Sequence, residues 1–215
     1  DSLLDMVFKT SRDIFIPLTV GGGLRSLDDV RTVLRAGADK VSLNTAAVRH
    51  PQLIRDAARR FGSSTIVVSI EAVRRPDGGY EACVENGREH TGKDAVAWAR
   101  EAAELGAGEL LVTSIDREGT GSGFDLALTR AIADAVSIPV IACGGAGDLP
   151  HVSEVVAEGK ADAVCLASML HYDAIGRRQA GGPVSAEGNV EFLKSQRGFS
   201  KIHGASLPRI KAYLL

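Results

Sequence analysis

Six short stretches of this 215-residue chain place residues able to hold an anion or move a proton directly after an apolar run: Gly21–Gly23, Asn44-Thr45, Glu71, Asp116 to Gly119, Gly144–Gly147 and Ala167-Ser168. Their chemistry is of two kinds. Gly, Asn, Thr and Ser just ahead of a helix offer backbone N–H groups and hydroxyls, which suit a phosphate. Glu71 and Asp116 are carboxylates delivered by apolar strands, and a carboxylate so placed serves as general acid or base once burial and neighbours tune it. A plainer reading exists for each. The glycines close tight turns, and the carboxylates are solvated charges or partners for Arg74 or Arg117. His151 falls in the first turn of a helix and His171 lies just past Ser168, where it could line an anion site. No HExxH, CxxC or Ser-His-Asp order is present, so no metal or cofactor is expected.

The elements that must position these residues follow a repeat. Ile138–Met169 and Ile16–Ala46 share one plan: strand, glycine turn, helix, then a second strand opening with ADK or ADA, at an offset of 122 residues. A supersecondary unit repeated within a chain signals two related halves, and two similar cradles on opposite sides of one site suggest a long substrate with a phosphate at each end. Ser26 with Asp29 predicts a capping box, and Gly37 a helix stop. Pro51–Phe61 and Asp94–Leu105 have helical periodicity. Thr65–Ile70 is apolar throughout, as for a strand buried on both faces, with Glu71 at its end. Arg74–Thr91, containing PDGG and NG, reads as a hairpin or excursion rather than a helix. The alternation of six strands with helices means a parallel sheet. With the two-fold repeat it predicts a (β/α)8 TIM barrel in which units 3–8 are present and strands 1–2 are missing from this chain. The active site of such a barrel lies at the C-terminal strand ends.

The length and the 45% hydrophobic content predict one domain spanning 1–215. A net charge of −2 with both signs interspersed argues against a nucleic-acid partner, and no apolar run is long enough for a membrane span. Cys83, Cys143 and Cys165 read as reduced core residues of a cytoplasmic protein. Ile175–Asn189, rich in glycine, reads as a mobile surface loop, and Leu207–Leu215 as a closing helix.

The segments IPLTVGGGLRS, GADKVSLNTAAV, GSSTIVVSIEA, GAGELLVTSIDREGTGSGFD and IPVIACGGAGD closely resemble the cyclase subunit of imidazole glycerol phosphate synthase, a histidine-biosynthesis enzyme, from about Asp1 to His171. The resemblance implies a barrel lyase that takes ammonia from a glutaminase partner. It would convert a bisphosphorylated ribulosyl-formimino carboxamide nucleotide to imidazole glycerol phosphate and an aminoimidazole carboxamide ribotide. It assigns Glu71 to the position of one of two catalytic aspartates; the other belongs to a strand unit not in this chain. It puts Gly23, Asn44 and Thr45 on one phosphate and Glu118, Gly119, Gly145, Ala167 and Ser168 on the other; Asp116, from its place at a strand end, is expected among the substrate-binding residues. Lys40 and Glu109 match a charged ammonia gate at the barrel bottom. Glu71 and Glu118 stand where the family has aspartate, and Tyr172–Gly204 is an insertion relative to it. These departures leave open a paralogue that amidates surface-polysaccharide sugars, or a non-catalytic barrel scaffold.

Overall fold

The computed structural model describes residues 3–179 and 201–214. In chain order the elements are α1 (Leu3–Asp13), β1 (Thr19–Gly21), α2 (Leu27–Arg35), β2 (Lys40–Leu43), α3 (Thr45–Arg49), α4 (Gln52–Phe61), β3 (Ile66–Arg74), β4 (Tyr80–Val84), β5 (Glu89–Asp94), α5 (Ala95–Leu105), β6 (Glu109–Ser114), α6 (Leu126–Ala133), β7 (Val140–Cys143), α7 (Leu149–Ala157), β8 (Ala163–Cys165), α8 (Ser168–Gln179) and α9 (Leu207–Leu214). Six parallel strands lie in the order β1-β2-β3-β6-β7-β8, and the β4–β5 hairpin extends antiparallel from the end of β3. The ion pair between Lys40 on β2 and Glu109 on β6 reaches across β3, so the sheet curls towards that face. This is the wall of a (β/α)8 barrel, of which six strands are described.

The strands are two-faced. On β6, Leu110, Val112 and Ser114 are buried while Glu109, Leu111 and Thr113 are half-buried. The buried set faces the helices, where Val30 and Val33 of α2, Ile54 and Ala57 of α4, Trp98 and Ala102 of α5, and Leu128 and Ile132 of α6 close the main core. Each such large side chain contributes about 1.5–3 kcal/mol on burial. The concave face is the polar one. At the start of β3, Ile66–Val68, both faces are buried as the apolar run predicts.

The repeat is visible bond for bond. Asp39 Oδ2 accepts from the Leu18 N–H at 2.8 Å, and Asp162 Oδ2 accepts from the Val140 N–H at 2.9 Å. Both helices open with a capping box, Ser26/Asp29 in α2 and Asp148/His151 in α7. The offset changes from 122 to 123 at one added residue, Lys160, whose φ of 57° places it in the left-handed region. Such a residue absorbs the insertion without disturbing either strand.

Several expectations need correction. β3 does not end at Glu71 but runs to Arg74, because β4 pairs with its last residues. Ile175–Gln179 is helical, continuing α8, and an Arg177–Asp173 ion pair at 2.6 Å joins successive turns; the rest of the expected loop, and most of the 172–204 insertion, lies outside the described residues. Cys83 is a core residue, but Cys143 is half-buried and Cys165 exposed. The cause is strand parity: on β8 Val164 packs against the helix-side core, and Cys165 falls on the other face. No helix among the described residues is long and apolar enough to cross a membrane.

Candidate active site

Glu71 sits on β3, near the middle of the sheet, with the β1/β2 turns to one side and the β7/β8 turns to the other. A cleft of about 580 Å³ opens at the ends of β1–β3, and its lining includes Gly23, Asn44, Thr45 and Glu71. Gly22 and Gly23 adopt φ of 109° and 70°, which only glycine takes without strain, and the space beside each is open. Asn44 precedes α3 and Thr45 begins it. The Thr45 hydroxyl accepts from the Glu85 N–H at 3.1 Å, which leaves its own proton free to donate.

Burial raises the Glu71 pKa, and the opposing pull of the Gly87 backbone N–H and the Asn44 amide is smaller. Among the described residues Glu71 Oε2 and Asn44 Oδ1 are buried acceptors with no hydrogen-bond partner. Polar atoms in that condition cost roughly 1–3 kcal/mol each, so a ligand bringing N–H or O–H donors is favoured there. A carboxylate destabilised as an anion, with one oxygen left unpaired, is suited to taking and returning a proton.

The hairpin supplies residues that sequence patterning did not single out. Its turn residues Glu85, Asn86 and Gly87 all have positive φ. Arg49 pairs with Glu85 at 3.2 Å and Glu89 at 3.0 Å, tying the hairpin to α3. Tyr80 donates to Asp125 at 2.8 Å, tying its other end to α6. That bond and burial push the Tyr80 pKa up to about 12, with burial the larger cause. Arg25, Arg49, His50 and Ser69 also line the cleft. Ser69 was legible two residues before Glu71 on the same strand face, and Arg49 four after Thr45 on one helix face.

The second cradle is elsewhere on the mouth. Gly145 accepts from the Gly123 N–H at 2.8 Å, locking the β7 turn to the glycine-rich loop after β6. Glu118 and Gly119 are exposed on that loop, Ala167 is exposed after β8, and Ser168 starts α8. None of these lines the Glu71 cleft. Asp116 is not there either. Its Oδ2 accepts from the Arg74 N–H at 2.8 Å, which gives it a backbone-pinning role at the rim. Lys40 and Glu109 pair where β2 and β6 begin, at the opposite end of the strands from Glu71.

Two glycine turns, each followed by a helix, flank a half-buried carboxylate on a curled parallel sheet, an arrangement that defines a (β/α)8 barrel with its polar residues gathered at the C-terminal strand ends. The chain belongs to the histidine biosynthesis protein family, which matches residues 1–176. It is 57% identical over 175 residues to imidazole glycerol phosphate synthase subunit HisF of Trichormus variabilis, covering 80% of this chain and 68% of that protein. The same subunit of Microcystis aeruginosa is 56% identical over 175 residues, with 80% and 69% covered. That of Alkaliphilus metalliredigens is 54% identical over 173 residues, again with 80% and 69% covered.

Proposed function

We propose that this chain is the ammonia-using cyclase of imidazole glycerol phosphate synthesis. The observation that carries the reading is the placement of Glu71, a half-buried carboxylate with a buried, unpaired oxygen, between two candidate anion cradles. A substrate with a phosphate at each end would span them and lay its reacting atoms along the concave face. Gly23, Asn44 and Thr45 would hold one phosphate; Glu118, Gly119, Gly145, Ala167 and Ser168 would frame the other, with Asp116 bracing the rim between. Ammonia addition, ring closure and carbon–nitrogen cleavage each require a proton to be moved, and Glu71 is the group placed to move it. The HisF relatives favour this reading over a sugar-amidating paralogue or an inert scaffold.

A glutaminase subunit would deliver ammonia at the end of the strands where Lys40 and Glu109 pair. The protein would act in the cytoplasm, as one domain over 1–215 with the 172–204 segment as an insertion. If the pair gates ammonia, Lys40→Ala lowers glutamine-driven turnover more steeply than turnover with added ammonium salt. Equal losses in the two assays, run on the complex with its glutaminase, would contradict the gate.

A further inference from the structure

Cys143 and Cys165 are opposite one another in the parallel β7–β8 register. Adjacent strands lie about 4.8 Å apart, and residues in register on one face direct their side chains the same way. That spacing is inside the 4.4–6.8 Å Cα separation of disulfides. Both residues close their strands directly beneath the second cradle, Cys143 before Gly144-Gly145 and Cys165 before Ala167-Ser168. Cys83 differs from both, being fully buried in the hairpin. We propose that Cys143 and Cys165 form a redox-active dithiol whose disulfide is a reversible modification of this mouth.

The two thiols are not equivalent. The neighbouring Cys165 sulfur, as hydrogen-bond partner, and burial both favour protonated Cys143 and drive its pKa up. The same hydrogen bond brings the Cys165 pKa down to about 7, against the opposing effects of burial and of the Glu118 charge. Cys165 is therefore the nucleophile of the pair. With hydrogen peroxide as oxidant, its thiolate attacks one peroxide oxygen and breaks the O–O bond, giving a sulfenic acid and hydroxide. The Cys143 sulfur then attacks the sulfenic sulfur, the S–O bond breaks, and water leaves with the Cys143 proton. Two electrons have passed from the two sulfurs to peroxide. The bond fixes β7 to β8 at the point from which both halves of the second cradle emerge.

The arrangement gives a direct chemical test on the folded full chain. Treatment with a few equivalents of hydrogen peroxide, alkylation, and non-reducing tryptic mapping read the products. Trypsin separates the two residues cleanly, since peptide 131–160 holds only Cys143 and peptide 161–177 only Cys165. The expected result is a cross-link between these peptides that dithiothreitol reverses, with two of the three thiols lost to titration. Cys83→Ser should leave the cross-link intact, while Cys143→Ser should leave a Cys165 sulfenic acid that dimedone traps. The proposal is overturned if both thiols remain alkylatable in the unmodified chain, if Cys165 passes to sulfinic acid without the cross-link, or if it links only to a second molecule. Circular dichroism confirms that each variant is folded, and none of these readouts depends on the catalytic assignment.

Discussion

Glu71→Gln should reduce ammonia-dependent turnover by about 10²–10⁴-fold while leaving the fold intact. Glutamine keeps the size of the side chain but carries no exchangeable charge. Removing a partly buried carboxylate whose Oε2 has no partner should not lower the melting temperature. Glu71→Asp should recover part of the activity, because it restores the carboxylate about 1 Å out of place. Turnover by Glu71→Gln within a few-fold of the unmodified chain would remove Glu71 from the chemistry. The same residue sets a pH dependence. As a base it must be ionised, and burial holds its pKa above the ordinary 4.5. The acid limb of kcat/KM should therefore fall at a higher pH than for a solvated glutamate, and Glu71→Gln should lack it. The stability term has its own sign. The folded chain binds this proton more tightly than the unfolded one, so the contribution is fully present below 4.5 and is lost as pH rises through the raised value.

The largest structural effect is expected at Gly145. Its φ is 102°, and a Cβ there would lie 2.2 Å from the Gly123 carbonyl oxygen and 2.9 Å from the Arg117 side chain. Backbone oxygen cannot rotate away. Gly145→Ala should cost about 3 kcal/mol or more, lowering the melting temperature by roughly 6–12 °C in a chain of this size. Gly23→Ala provides the contrast. Its φ is 70° but nothing lies within 4 Å of the added methyl, so the cost is limited to about 1 kcal/mol of backbone strain. A methyl placed in the open cleft should instead raise KM for the phosphorylated substrate. Calorimetry on the two variants separates a turn that is locked by packing from one left open towards a ligand. Equal melting shifts would contradict the distinction.

The repeated half-barrel was legible because its signals are local. The glycine turns, the helices and the ADK/ADA strand starts recur at nearly constant spacing, and the Ser26/Asp29 capping box forms as its spacing predicts. Strand ends were less secure. Glu71 was correctly placed on its strand, but the extension to Arg74 depends on pairing with β4, a partner that periodicity along β3 does not show. For the same reason Arg49, Glu85 and Glu89 were missed as a group. Their ion pairs join residues 36 to 40 positions apart across a hairpin whose docking is set by Tyr80 and Asp125. Asp116 follows the plainer of its two readings: it is a partner for Arg74, accepting from that residue's backbone N–H. Cys165 was misplaced by one residue of strand parity, which no local composition reveals.

The central claim is that the cradles and Glu71 together convert a bisphosphorylated substrate with ammonia. Incubating the full chain with the ribulosyl-formimino carboxamide nucleotide and an ammonium salt, followed by mass-spectrometric product analysis, tests it most directly. The account requires imidazole glycerol phosphate and the aminoimidazole carboxamide ribotide in equal amounts, formed only when ammonia is supplied. Unchanged substrate in the presence of ammonia, with the protein folded, would contradict it.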